Sequence, residues 1–475
     1  MSKTLKIILF AVGGLVGLLI LVALVLLLFV DANAYKPQLE MAASKALGME
    51  VHIDDRLEIG FFPSFHVTLG DVHIRNRGSD VASAKEASLE IDLLPLLHKE
   101  VRIGRIALKR PRISIERDRD GKFNFEKPEE ARRTFPALDL TKVSLSDGTL
   151  LYADKQSGEG FEAGNCNLDV SRLRLSRRES SDLLKYLSLT AEFACREIRT
   201  KDFAVSDLKF SVDGKDGVFD LKPVTMRIFG GQGLGNLRAD FSRSVPLFHV
   251  RYSLPKFRFE EFLKARLPKK VAEGAMDFSA NLSMQGMTAN EMKRTADGEV
   301  SLRGENLTLT GTDLDRELSR FESSQNFNLV DVGAFFFAGP FGLAVTKGYG
   351  FASIFQGSGG SSRIRKLVSD WKVERGVAQA KDVAMATNEN RIALKGRLDF
   401  VNERFDDVTV ALIDGKGCPK VQQKIRGPFR KPVVEKPSVL TSLAGPVLEL
   451  LKQARDLFDG GRCEVFYAGS VAPQK

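Results

Sequence analysis

Phe248-His249-Val250-Arg251-Tyr252-Ser253-Leu254 alternates apolar and polar residues without a break. A β-strand sends successive side chains to opposite faces, so this run reads as a strand with one apolar face. The same period of two recurs on both sides of it. Before it come Phe65/Val67/Leu69, Leu89/Ile91/Leu93, Ile113/Ile115, Leu187/Leu189, Leu208/Phe210/Val212 and Val224/Met226/Ile228; after it come Phe278/Ala280/Leu282/Met284, Trp371/Val373, Ile392/Leu394 and Val408/Val410/Leu412. Asp120-Gly121, Asp147-Gly148, Asp213-Gly214, Asp216-Gly217 and Gly230-Gly231 punctuate these runs as turns. After Leu69 the phase slips at Gly70-Asp71 and resumes at Val72 and Ile74, which predicts a bulge or tight turn in a curved sheet. The expected fold is mostly β: a long curved antiparallel-type sheet, groove-like or taco-like, with a few amphipathic helices. Too few helices are available to cover its apolar face. The sheet must therefore curl on itself, pack as a sandwich, or leave a groove for a ligand.

The helical signals are short. Residues 35–47 place Leu39, Ala43 and Leu47 on one face and stop at Gly48, giving a helix that lies at a membrane surface or leads into the first strand. Residues 311–321 carry Leu314, Leu318 and Phe321 behind a Thr312 cap with Asp315 three residues on. Pro446 opens a helix with Leu448, Leu451, Arg455 and Phe458 along one side, followed by a terminal strand at Cys463, Val465 and Tyr467. Residues 329–345, with Phe335, Phe336, Phe337 and Gly339-Pro340, read either as a buried hairpin or as a lid over an apolar groove.

Upstream of all this, residues 7–30 form a run of 24 residues without a charge. That length suffices for a transmembrane helix. Lys3 and Lys6 precede the run and Asp31 follows it, so residues 1–6 are expected in the cytoplasm and 31–475 on the far side. A cleavable signal peptide is the competing reading, since Ala32-Asn33-Ala34 has the look of a processing site. The run exceeds the roughly 7 to 15 apolar residues of cleavable signals, which favours the uncleaved anchor. The exported part divides into residues 31–130, a middle sheet region 131–290 and a C-terminal region 291–475.

The chain carries 33 Phe against 6 Tyr and 1 Trp. Phe lacks a polar handle and suits surfaces that stay dry or meet something greasy. Net charge is +9, with basic clusters at Arg172/Arg174/Arg177/Arg178, Lys264/Arg266/Lys269/Lys270 and Lys424/Arg426/Arg430/Lys431. No nucleic-acid motif accompanies them, and for an exported tethered chain anionic lipid headgroups are the nearer counter-charge. A mean hydropathy of −0.12 fits a folded body. Four cysteines, Cys166, Cys195, Cys418 and Cys463, fit an oxidising compartment and allow three pairings. Position along the chain favours Cys166 with Cys195 and Cys418 with Cys463.

Catalytic and metal motifs are missing from the sequence. The five histidines, at 52, 66, 73, 98 and 249, have no ligand spacing, and there is no HExxH, GxSxG or Walker loop. Counting from Glu116 as the first ligand of a calcium loop puts Lys127 where the bidentate glutamate belongs. Gly231-Gln232-Gly233-Leu234-Gly235 lies between strands and reads as a turn, because a nucleotide cradle needs a helix after it. The chain is expected not to be an enzyme, and to need no cofactor or metal.

Three stretches resemble the AsmA family of inner-membrane-anchored envelope proteins. The first is the anchor followed by a short helix, Gly48, and Phe62-Pro63 leading to Leu69-Gly70-Asp71-Val72. The second runs from Asp297-Gly298-Glu299-Val300 through Leu307 and Gly311-Thr312-Asp313-Leu314-Asp315 to Asp331-Val332-Gly333-Ala334-Phe335 and Ala338-Gly339-Pro340. The third is Gly427-Pro428-Phe429 with Pro432, then Ala444-Gly445-Pro446 and Cys463. The resemblance implies a periplasmic β-rich body with a chorein-like N-terminal region and a role in outer-membrane biogenesis, affecting envelope lipid balance and outer-membrane protein assembly. Expected partners are the inner membrane, phospholipid and outer-membrane assembly components. Candidate groove residues are Leu208, Phe210, Val224, Met226, Phe248, Val250, Phe278 and Leu282, with Phe335, Phe336 and Phe337 as the lid. The alternative is a scaffold or regulator of outer-membrane protein targeting that carries no lipid.

Overall fold

A computed structural model describes residues 32–60, 64–92, 103–126, 138–175, 183–264, 272–324, 359–436, 438–439 and 463–473. Residues 7–30, the lid candidates Phe335, Phe336 and Phe337, and the helix expected from Pro446 lie outside them. Among the described residues no helix is long and apolar enough to cross a membrane. The chain divides into two units, residues 1–183 with 187–201, and residues 184–186 with 202–475. Both are built almost entirely of strands.

The first unit opens with helix α1 (Lys36–Leu47), ended by Gly48 in the left-handed conformation at φ 63°. Strands β1 (Glu50–Ile53) and β2 (Leu57–Gly60) share one edge of β3 (His66–Asn76). The ladder continues through β4 (Ser79–Ile91), β5 (Ile103–Arg117), β6 (Leu138–Asp154), β7 (Glu159–Leu175) and β8 (Leu187–Thr200). One junction departs from the antiparallel expectation: β5 and β6 run parallel. Parallel neighbours are joined by a crossover rather than a hairpin.

The slip read at Gly70-Asp71 recurs along this ladder. In β5 the apolar phase jumps from Leu108 to Pro111, in β6 from Leu145 to Gly148, and in β7 from Ala163 to Cys166. Each jump contains a non-glycine residue in the left-handed region: Asp71 (φ 46°), Arg110 (46°), Asp147 (54°) and Asn165 (53°). Gly70, Glu86, Lys109 and Ser146 are register partners in series, so the slips line up across the strands. Aligned bulges bend a sheet while returning the apolar side chains to the same face.

The second unit runs β9 (Ala204–Lys215), β10 (Val218–Ile228), β11 (Gly231–Asp240), β12 (Leu247–Arg258), β14 (Ala275–Gln285), β15 (Asp297–Thr310), β16 (Ser361–Glu374), β17 (Val377–Ala386), β18 (Arg391–Asp399), β19 (Arg404–Ile413) and β20 (Pro419–Pro428), each antiparallel to the last. Between β12 and β14, the short β13 (Ala272–Glu273) pairs with the far end of β15. The β20 edge is covered by the chain itself, through β21 (Val433–Val434) and β22 (Ser438–Val439). Covering an edge removes a template for aggregation.

Burial within this second unit is uneven. On one face of β15–β20, Leu302, Leu307, Leu309, Ile364, Leu367, Trp371, Met385, Ile392 and Leu412 form a closed core. Helix α2 (Phe259–Lys264) adds buried Phe259 and Leu263, and helix α4 (Leu314–Ser324) adds Leu314 and Leu318 at 0% exposure. The cap of α4 is Asp313, whose Oδ1 accepts from Arg316 N at 3.1 Å, rather than the Thr312 expected from sequence. Thr312 is instead buried, its carbonyl accepting from Ser362 Oγ at 3.1 Å. A third short helix, α3 (Ala289–Arg294), is capped by Thr288 and buries no residue.

The opposite face of β16–β19 carries a row of small residues, Val368, Ala384, Ala393 and Ala411, in direct register. Residues 463–473 lie over it, burying Tyr467 and Val471. This terminal segment is irregular rather than the strand expected at Cys463, Val465 and Tyr467. Among the described residues its backbone pairs with backbone at Gly417 alone, and side-chain anchors hold the rest. The Tyr467 hydroxyl donates to Asp382 Oδ1 at 2.5 Å, the Arg391 guanidinium donates to Val471 O at 2.9 Å, and Cys418 is bonded to Cys463 with 6.0 Å between Cα atoms.

Candidate hydrophobic face

Residues directly opposite one another across a ladder share a face, so register shows which apolar side chains line up. In the second unit Val250 pairs with Leu237 and Leu282, Phe248 with Ala239 and Met284, and Leu254 with Phe278. On β10, Met226 faces Gly233 and Val224 faces Gly235 of β11, while Leu221 faces Leu237. Val212 of β9 is opposite Leu221, and alternation places Leu208 and Phe210 on the same side. Leu208, Phe210, Val224, Met226, Phe248, Val250, Phe278 and Leu282 therefore all stand on one face of β9–β14.

Their exposure separates them from the core beside them. Every one of the eight is half-exposed, whereas the corresponding face of β15–β20 is buried. Phe278 and Leu282 pack against the edge of the closed core, so the apolar surface is continuous from one region to the other. At the β10–β11 turn the face is closed by a ring cluster: Phe229 meets Phe203, Phe257 and Phe262 at 5.9, 6.4 and 5.2 Å between centroids.

The glycine run of β11 proves to be strand interior rather than a turn. Gly233 and Gly235 face Tyr252, whose ring occupies the space that their missing side chains leave; a Cβ at Gly233 would strike the Tyr252 hydroxyl. Glycine in a strand commonly marks such a close approach. That hydroxyl is buried with no hydrogen-bond partner among the described residues, and burial pushes the phenol above its usual pKa. Sequence reasoning missed Tyr252 as a site residue, although a tyrosine amid phenylalanines was the available signal.

The first unit has a comparable surface. Val67, Leu89, Ile106, Val143, Val170 and Ala191 form one row across six strands, and Leu69, Ala87, Leu108, Leu145, Leu168 and Phe193 form the next. Ala87, Val170 and Ala191 in these rows are buried, while the larger Leu, Ile and Phe side chains stay half-exposed. Cys166 and Cys195 are direct cross-strand partners joined by a disulfide, with 4.0 Å between Cα atoms.

Three ion pairs of the second unit stand on the opposite side of its strands. Arg238 meets Asp220 at 2.8 Å, Arg303 meets Asp370 at 2.6 Å and Arg397 meets Asp406 at 2.7 Å, all on partly exposed side chains. The hydrogen bond that Arg303 donates to Asp370 raises the Arg303 pKa. Such pairs contribute about 0–1 kcal/mol each and specify which side faces water. Among the described residues no group of His, Cys, Asp and Glu is arranged to hold a metal ion.

Open ladders that present continuous, half-exposed apolar rows on one side and ion pairs on the other define an extended β-sheet protein with an accessible hydrophobic face. The chain belongs to the AsmA family, whose family model matches residues 1–183 and 134–343. No curated protein and no solved structure matches it.

Proposed function

We propose that this protein is a single-pass inner-membrane protein whose periplasmic β body holds or passes phospholipid acyl chains along its apolar face. In this way it affects envelope lipid balance and outer-membrane protein assembly. The observation that carries the reading is the exposure contrast within the second unit: the β9–β14 face is as apolar as the β15–β20 face but lacks its cover. Acyl chains are the matching occupant, because rows of Leu, Val, Met and Phe offer area and no directional polar contacts. Each CH₂ taken from water would contribute about 0.8 kcal/mol, so a chain of lipid length binds without polar recognition. Headgroups stay in water at the rim. Anchoring by residues 7–30, with the N-terminus cytoplasmic, delivers the face to the compartment where phospholipid leaves the membrane. The mechanism is passive and asks for no catalytic group.

Phe210→Asp and Phe248→Asp test this in living cells. Both place a carboxylate on the apolar face at half-exposed positions where folding tolerates it. The expected result is a stable, membrane-anchored protein that fails to restore the envelope of a strain lacking it. Full restoration by both variants contradicts the proposal and favours a scaffold that carries no lipid.

A further inference from the structure

Helix α1 is packed inside out. Its polar residues Lys36, Glu40 and Ser44, spaced four apart, turn toward the sheet. Ser44 Oγ accepts from Val51 N at 2.9 Å, Glu40 Oε1 accepts from Ile53 N at 2.7 Å and lies 3.2 Å from His52 Nδ1, and Lys36 Nζ donates to Asp54 O at 3.5 Å. The Ser44 and Glu40 contacts satisfy outward N–H groups of β1, whose one strand neighbour among the described residues is β3. An edge strand left bare would keep those donors unpaired.

The apolar residues of the helix are left outside. Tyr35 is 55% exposed, Leu39 41%, Met41 70% and Leu47 39%. Tyr35, Leu39 and Ala42 fall at i, i+4 and i+7, a stripe that a water-facing helix would fill with charge. The occupant of that stripe is indicated by what precedes it: the uncharged run of residues 7–30 ends two residues before the first described residue, Ala32. A helix that begins so close to a membrane exit has the bilayer surface within reach. Exposed Lys45 suits anionic headgroups, Tyr35 suits the aromatic belt, and the one acid of the helix, Glu40, is turned away toward the sheet.

We infer that α1 beds in the membrane–water interface by Tyr35, Leu39 and Ala42, and that it fastens the β1 edge of the first unit to the outer surface of the bilayer. The inference rests on the anchored reading above and deepens it. An acyl chain leaving the leaflet would meet the first apolar row, beginning at Val67 and Leu69 of β3, without crossing open water.

The test uses the full chain in vesicles of phosphatidylethanolamine and phosphatidylglycerol. Among the described residues no cysteine is free, so Leu39→Cys, with Ala42→Cys as a second reporter and Ser79→Cys as the aqueous control, takes a fluorophore selectively. The expected result is quenching at positions 39 and 42 by brominated acyl chains, with iodide quenching several-fold below that at position 79. Iodide access at 39 and 42 equal to that at 79 overturns the inference, as does protection from both quenchers, which would mean a protein partner or a second copy covers the stripe. A chain that fails to float with the vesicles overturns the anchored reading as well.

Discussion

Replacing Leu208 and Leu309 by alanine, one at a time, distinguishes a ligand face from a core. Each change removes about three carbon groups, worth roughly 2.4 kcal/mol of transfer free energy at ~0.8 per group. Leu309 is 0% exposed in the closed core, so a cavity adds to the loss, and Leu309→Ala is expected to cost about 3–5 kcal/mol. Leu208 is half-exposed on β9, so in lipid-free protein Leu208→Ala costs only about 1 kcal/mol. The remaining ~1.4 kcal/mol is realised only when an acyl chain covers the site, which makes a fluorescent fatty-acyl probe bind roughly tenfold more weakly. Trp371, the single tryptophan, is 3% exposed in the same unit and reports guanidinium unfolding of both variants. Equal stability losses in the two variants, with unchanged probe affinity, would refute the reasoning and assign the β9 face to ordinary packing.

Three further outcomes are expected. Gly233→Ala drives a methyl into the Tyr252 ring and should cost about 1–3 kcal/mol, a loss that the double variant Gly233→Ala/Tyr252→Ser largely recovers; no recovery in a denaturation series would contradict the packing described. Cys418→Ser opens a bridge between positions 45 residues apart, for which loop-closure entropy gives about 4 kcal/mol, and hydrogen exchange should show residues 463–473 losing protection first. Burial opposes ionisation of Asp382, but hydrogen bonds from the Tyr467 hydroxyl and from Ser470 outweigh it and hold the carboxyl below its usual pKa. A depressed carboxylate stabilises fully above the unfolded value of about 4 and loses that contribution as pH falls through the folded value. Tyr467 is shifted the other way, upward through burial and its bond to Asp382, so its contribution is present below about pH 10 and is lost as pH rises. The terminal segment should therefore be held most firmly between about pH 4 and pH 10, with exchange protection falling on either side; protection at Tyr467 and Val471 that does not change with pH would contradict this.

The strands were legible because each carries its own alternation, as in Phe248 to Leu254, and both disulfide pairs could be read from position. The slip at Gly70-Asp71 was readable as a bulge, yet its repetition at Arg110, Asp147 and Asn165 was not. Alignment of slips is a property of register between strands, which no single strand encodes. For the same reason the parallel β5–β6 junction was invisible: the intervening residues lacked a pattern that distinguishes a crossover from a hairpin. Gly231 to Gly235 misled because glycine breaks strands in isolation, whereas here Tyr252 on the next strand fills the space. Helix α1 was placed correctly, but the packing of its polar side against the sheet was not legible, since the pull of Val51 and Ile53 N–H groups on Ser44 and Glu40 is a tertiary effect. The terminal strand failed for a related reason: of Cys463, Val465 and Tyr467 only Tyr467 is buried on the alanine row, and the disulfide and side-chain anchors hold the segment without a ladder.

Whether the apolar face carries lipid is tested most directly by mass spectrometry of lipid extracts from residues 31–475, exported to the periplasm and purified without detergent. The account predicts phospholipid in stoichiometric amount, reduced in Phe210→Asp and Phe248→Asp. A soluble, well-folded protein free of lipid would contradict it.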